Sequence, residues 1–129
     1  MVLVDTSIWV EVLRQGDGLD LESLVEFDEV VTCPPVVQEV LQGIRDPKAH
    51  AVAREAMLAL PMLEAPMPLA VYLEAAELFR IARRSGFTVR SSVDCLIAAC
   101  AARHSIAVLH RDRDFDALAK VAAIDVQAG

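Results

Sequence analysis

Val2-Leu-Val4, closed by Asp5-Thr-Ser7 and followed by Ile8 to Arg14, is the stretch that decides the fold class. Three consecutive apolar residues without polar alternation predict a strand buried on both faces, as in a parallel sheet. Thr6 or Ser7 can cap the helix that follows. Gln15 to Gly18 reads as a turn, and the same strand-then-helix alternation recurs downstream. A second amphipathic helix is expected over Asp20–Phe27, a strand over Glu29–Thr32, and a helix from Pro34-Pro35 through Ile44. Asp46-Pro47 restarts the chain into a helix over Ala49–Leu60, with a short strand at Met62–Ala65. Pro68 opens a long helix to Arg84, closed by Ser85-Gly86. Ser91 or Ser92 caps a helix through Ala102. Ile106–Leu109 is another apolar strand, Phe115–Val121 a short helix and Ala123–Val126 a last strand. This order predicts an α/β fold, a three-layer α/β/α sandwich around a central parallel sheet, in a single domain over residues 1–129.

The composition bounds the function classes. Hydrophobic residues make up 55% of the 129, which excludes disorder. Twelve Lys and Arg against 19 Asp and Glu give a net charge of −7. A diffuse basic footprint for nucleic acid is therefore absent, and any polyanion must be met by a local arginine patch or a bound cation. Cys33, Cys95 and Cys100 lie in apolar runs without metal or disulfide spacing, so they read as buried thiols in a reducing compartment. No signal peptide and no membrane-spanning run is evident, and the expected location is the cytoplasm.

Four places put carboxylates where core building would not. Asp5 ends a buried strand, where it serves either as a turn or N-cap acid or as part of a site at the sheet's carboxyl edge. Asp94 is the one charge of Val93–Ala102, which is apolar on every face; an isolated buried carboxylate needs a compensating cation or donor. Glu39 flanks the apolar face of Val36, Val37, Val40, Leu41 and Ile44, and periodicity alone does not separate it from a solvated helix acid. Asp112 and Asp114 follow the strand at its end, in Arg111-Asp-Arg-Asp-Phe-Asp116. A calcium EF-hand is excluded there, since the sixth and twelfth places from Asp112 are Ala117 and Ala123. A parallel sheet brings the ends of both strands, with Asp5 and Asp112, to one edge. Carboxylates that converge repel one another, and a hard divalent cation removes that penalty; oxygen donors alone suit Mg²⁺ or Mn²⁺ rather than zinc.

Val4-Asp-Thr-Ser7, Glu39 in its helix, Ser91-x-x-Asp-Cys-Leu-Ile-Ala-Ala99 and His110-Arg-Asp-Arg-Asp-Phe115 together resemble the PIN-domain ribonucleases. The chain is similar in particular to the VapC-type toxins of toxin–antitoxin pairs. The resemblance covers nearly the whole chain. It implies an acidic Mg²⁺ site, with Mn²⁺ as a substitute, in which Asp5, Glu39, Asp94 and Asp112 match the four catalytic acids and Asp114 the additional one. Asp5, Asp94, Asp112 and Asp114 would hold the metal, and Thr6 or Ser7 would orient Asp5 or a bound water. Ser7, Arg90, Arg111 and Arg113 are the expected substrate-binding residues, although the arginines also fit solubilising surface charge. The implied reaction is hydrolysis of RNA phosphodiesters by in-line attack, leaving 5′-phosphate and 3′-hydroxyl ends. The implied partners are an RNA substrate, a small antitoxin and a second copy in a homodimer. Ile8, Trp9, Val12 and Leu13 on the first helix offer an apolar surface for the antitoxin, unless Trp9 is core.

Two other α/β readings fail on single residues. A haloacid-dehalogenase-like phosphatase needs an Asp where Ser7 stands, and a response-regulator receiver needs a phosphoacceptor Asp where Pro66 follows Met62–Ala65. A PIN fold serving as a non-catalytic binding module, and a housekeeping PIN nuclease outside a toxin–antitoxin pair, remain alternatives to the toxin.

Overall fold

A computed structural model describes residues 1–14 and 18–129; the turn expected at Gln15 to Gly18 lies largely outside the described residues. Four parallel strands, β1 (Val2–Val4), β2 (Val30–Val31), β3 (Ala107–His110) and β4 (Val126–Ala128), form one sheet in the order β2-β1-β3-β4. Among the described residues six α-helices accompany it: α1 (Thr6–Val12), α2 (Pro34–Gln42), α3 (Pro47–Leu58), α4 (Leu69–Arg84), α5 (Ser92–Arg103) and α6 (Arg113–Val121). Leu3, Val4, Val30, Val31, Val108 and Leu109 are all buried, the two-sided burial that their unbroken apolar runs imply. The chain runs from β1 outward to β2, then returns to build β3 and β4 on the other side of β1. The direction of travel therefore reverses between β1 and β3. The right-handed rule for parallel crossovers implies α1 on one face and the connections through α5 and α6 on the other.

The first helix begins at Thr6, because Asp5 itself is the cap: its carboxylate accepts from the Ser7 N–H. Ile8 and Trp9 are buried, so Trp9 is core and not a docking residue; Val10 in α1 and Leu13 just past its end are the exposed apolar positions. The helix expected over Asp20–Phe27 is absent. Two 3₁₀ turns, Leu21–Ser23 and Phe27–Glu29, take its place. Asp20 and Ser23 use their side chains in local backbone bonds that compete with helix extension. The strand expected at Met62–Ala65 shrinks to one parallel bridge between Thr32 and Met62. Pro61 and Pro66 lack the N–H groups a ladder needs, and Glu64 turns the chain into the left-handed region at φ 55°. The last strand lies later than expected. Ile124 is drawn into the core, and pairing starts only where the Val108 N–H donates to the Asp125 carbonyl. Val126–Ala128 is a half-buried to exposed edge that hydrophobicity does not announce.

Helix α5 is the buried helix its sequence predicts, with Asp94, Cys95, Ile97, Ala98, Ala99, Cys100 and Ala101 all inaccessible. Its small residues let it approach β3 and α4 closely. No helix among the described residues is long and apolar enough to cross a membrane.

Candidate metal centre

In an open parallel sheet a site forms at the carboxyl ends of the strands where their order reverses. Here that point lies between β1 and β3. Asp5 follows β1, and Asp112 lies two residues beyond the end of β3 and caps α6. The first turn of α5 brings in Asp94, the middle of α2 Glu39, and the first turn of α6 Asp114. Carboxylate oxygens of Asp5, Glu39 and Asp94 lie within 4.8 Å of one another, as do those of Asp94, Asp112 and Asp114. Asp94 belongs to both groups, so the five acids predicted from sequence form one continuous cluster. Asp5, Asp94 and Asp114 are buried, whereas Glu39 and Asp112 are partly open.

Neighbouring residues fix these carboxylates one by one. The Ser7 N–H and hydroxyl both donate to Asp5 Oδ2, and the same hydroxyl oxygen accepts the Arg111 N–H at 2.9 Å. Ser7 thus ties together the ends of β1 and β3. Thr6 Oγ1 donates to Glu39 Oε1 at 2.8 Å, so the two adjacent hydroxyls serve two different acids. Asp112 Oδ1 accepts the Asp114 N–H at 2.9 Å and Arg90 Nη2 at 3.0 Å. His110 Nδ1 accepts the Asp112 N–H at 3.2 Å, which places the ring proton on Nε2. Asp114 Oδ2 accepts the backbone N–H groups of Arg90 and Ser91 at 3.0 and 3.1 Å, and Arg90 Nε lies 3.4 Å from Asp114 Oδ1. Asp114 is therefore well satisfied within the protein and anchors the chain entering α5.

The electrostatics follow from burial. Burial, a hydrogen bond with Asp114 and the charges of Asp5, Asp112 and Asp114 push the Asp94 carboxyl up to about 9. Burial also raises Asp5, against the lowering effect of its bonds from Ser7. Burial acts upward on Asp114 too, but hydrogen bonds from Asp94, the Arg90 and Ser91 amides and the Arg90 side chain outweigh it and lower this carboxyl. At neutral pH the metal-free cluster thus keeps a proton on Asp94, donated towards Asp114, while Arg90 supplies a positive charge from the rim.

The donor set fits a hard divalent cation. All donors are oxygens, and two buried ones, Asp5 Oδ1 and Asp94 Oδ2, have no hydrogen-bond partner among the described residues. A cation would satisfy both and replace the proton on Asp94. The three cysteines are free and buried, outside both acid groups. Of the other predicted residues, Arg111 is exposed with its Nε donating to the Gly129 carbonyl, and Arg113 is exposed at the start of α6. Asp116 stays at the surface, 3.6 Å from His110 Nε2. The Thr6–Glu39 bond, the His110 brace and the Arg90 ion pairs are not among the sequence-based expectations. Adjacency of Thr6 to Asp5 was a signal for the first; nothing in the spacing connects residue 90 with residues 112 and 114.

The PIN domain profile matches residues 2–121. The chain is 38% identical over 126 residues to a VapC ribonuclease of Mycobacterium bovis and to ribonuclease VapC11 of Mycobacterium tuberculosis, covering 94% of this chain and 93% of each relative. Its fold is similar to a structure of VapBC-5 from Mycobacterium tuberculosis, with a TM-score of 0.71 at 24% identity over 98% of this chain and 97% of that one. An acid cluster at the switch point of a β2-β1-β3-β4 parallel sheet and full-length similarity at this level place the chain in the PIN-domain family, among the VapC ribonucleases.

Proposed function

We propose that this protein is a Mg²⁺-dependent endoribonuclease toxin that acts in the cytoplasm as a single PIN domain and is restrained by a small antitoxin. The observation that carries this reading is the convergence of Asp5, Glu39, Asp94 and Asp112 on one edge of the sheet, with two buried carboxylate oxygens left unpaired. Asp5, Asp94 and Asp112 are the proposed direct ligands of Mg²⁺, or of Mn²⁺ in its place, with Asp114 and Glu39 completing the site. A bound Mg²⁺ supplies charge neutralisation at the phosphoryl group and a water of lowered pKa.

The chain's own residues do the rest. Ser7 holds Asp5 in one orientation, and Thr6 does the same for Glu39, leaving its second oxygen to accept a proton from an attacking water. Arg111 and Arg113, exposed beside Asp112, would bind substrate phosphates. Arg90 would join them once its hold on Asp112 and Asp114 is relaxed by a competing positive charge. The same competition gives an inhibitor its opening: an antitoxin Arg or Lys placed among the acids would exclude the cation. A homodimer is the proposed assembly.

Purified chain should cut single-stranded RNA in Mg²⁺ or Mn²⁺, stop in chelator, and leave 5′-phosphate ends. Asp94→Asn should abolish cleavage without unfolding the protein. Metal-independent cleavage, or cleavage retained in Asp94→Asn, refutes the catalytic assignment; a metal-binding chain that cuts no RNA is a binding module. Cleavage by a chain that is harmless on expression and has no small inhibitory neighbour marks a housekeeping nuclease.

A further inference from the structure

Beside Glu39 and Val93 the surface opens into a cavity of about 180 Å³ that the hydrolytic chemistry does not use. Glu39 forms one wall, so the cavity adjoins the acid group of Asp5, Glu39 and Asp94 directly. Leu96 and the ring of Pro35 line it with apolar surface, and the half-exposed Tyr72 adds an aromatic one. Gln38 and Gln42, exposed and one turn apart on α2, put two carboxamides on the remaining side. The volume is below the usual range for whole small-molecule ligands and near that of one flat heterocycle. An aromatic wall with carboxamides beside it is the chemistry that receives an unstacked base: the ring stacks, and each amide offers both a donor and an acceptor to the base edge.

A second cavity, of about 480 Å³, shares Tyr72 and Leu96 and continues along α4 to Phe79, Arg80 and Arg83. Arg83 lies over the Phe79 ring at 5.7 Å. In a protein of net charge −7 this is a local run of arginines and aromatics leading away from the acids, which suits the next stretch of a single strand.

We infer that the cavity bounded by Glu39, Gln38, Gln42 and Tyr72 is a base-selecting subsite, holding one nucleobase next to the scissile phosphate; this rests on the ribonuclease reading. Tyr72 is the specificity-determining residue that stacks on the base, and Gln38 and Gln42 read its edge.

Tyr72 is the single tyrosine of the chain, so a 3-fluorotyrosine label gives one ¹⁹F resonance, which reports on the two cavities this residue lines. Titration in Mg²⁺ with a short phosphorothioate RNA that resists hydrolysis should shift that resonance. The same backbone carrying abasic riboses should leave it unmoved. In parallel, cleavage sites on an RNA pool are mapped for wild type, Tyr72→Phe, Tyr72→Ala and Gln42→Ala. Tyr72→Ala should lose roughly 5- to 150-fold in kcat/KM and its base preference at one nucleotide beside the cut, from the usual worth of base–aromatic stacking. Tyr72→Phe should keep both, and Gln42→Ala should relax the preference alone. An abasic nucleotide at that position should cost wild type as much as Tyr72→Ala does, and cost Tyr72→Ala nothing more. The subsite is refuted by a ¹⁹F resonance that ignores RNA, or by Tyr72→Ala cutting the same sites with the same efficiency. Absence of cleavage by the wild-type chain instead refutes the ribonuclease reading, and the ¹⁹F response to RNA still decides the subsite.

Discussion

Replacing Asp94 with Asn should make the metal-free protein more stable, by an amount that depends on pH in a prescribed way. Burial, the bond to Asp114 and three neighbouring charges raise this carboxyl from its ordinary value of 3.8 to about 9. Between those values the folded chain holds a proton that the unfolded chain has released. Stability contributed by this group is therefore fully present below the unfolded value and is lost as pH rises towards the folded one, at up to about 1.4 kcal/mol per pH unit. Asn at this position does not titrate, and its amide can donate to Asp114 as the protonated acid does. The stability difference between Asp94→Asn and wild type should then widen by up to about 3 kcal/mol between about pH 5 and pH 7. For a domain of this size that is roughly 10 °C in Tm. The assay is thermal unfolding by circular dichroism in chelator at several pH values for both proteins. A variant that is less stable throughout, or a difference that does not change with pH, refutes the claim that repulsion and burial are concentrated on Asp94.

Ser7→Ala should cost about 1–3 kcal/mol in chemical unfolding, since it leaves the Arg111 N–H without its acceptor, and it should weaken Mn²⁺ binding by freeing Asp5; unchanged binding would mean that Asp5 needs no positioning. Arg90→Gln removes the positive charge that faces Asp112 and Asp114. Its metal-free Tm should fall while the rise on adding Mg²⁺ grows, and equal increments in both proteins would rule out Arg90 as a competitor of the cation. A small protein encoded beside this chain should suppress cleavage through a basic side chain, so that Asp5→Asn weakens its binding more at low salt than at high salt; salt-independent losses would place the contact elsewhere.

Strands of the sheet's centre and the acids that end them were legible because both are strong signals: Val2–Val4 is apolar on two faces, and Asp94 is a charge in a helix with no polar side. Glu39 was not separable from Gln38 by periodicity, and only its place opposite Thr6 distinguishes it. The segment Asp20–Phe27 misled because its apolar residues are spaced as in a helix, whereas local side-chain bonds from Asp20 and Ser23 win. Edge strand β4 was expected three residues early, at Ala123–Val126, because an edge is half solvated and its pairing is set by the backbone of β3. Thr6 and Arg90 hold acids 33 and 22 positions away, separations that no local pattern encodes.

The central claim, that these acids hold one kind of hard divalent cation, is tested most directly by electron paramagnetic resonance of free Mn²⁺ during titration of the pure chain. Wild type should bind Mn²⁺ at neutral pH, release it to Mg²⁺, and bind it less tightly as pH falls, because a proton competes for Asp94. Asp94→Asn should bind none at concentrations that saturate wild type. Undiminished Mn²⁺ binding by Asp94→Asn, or a site that yields Mn²⁺ to Zn²⁺ but not to Mg²⁺, would contradict the account.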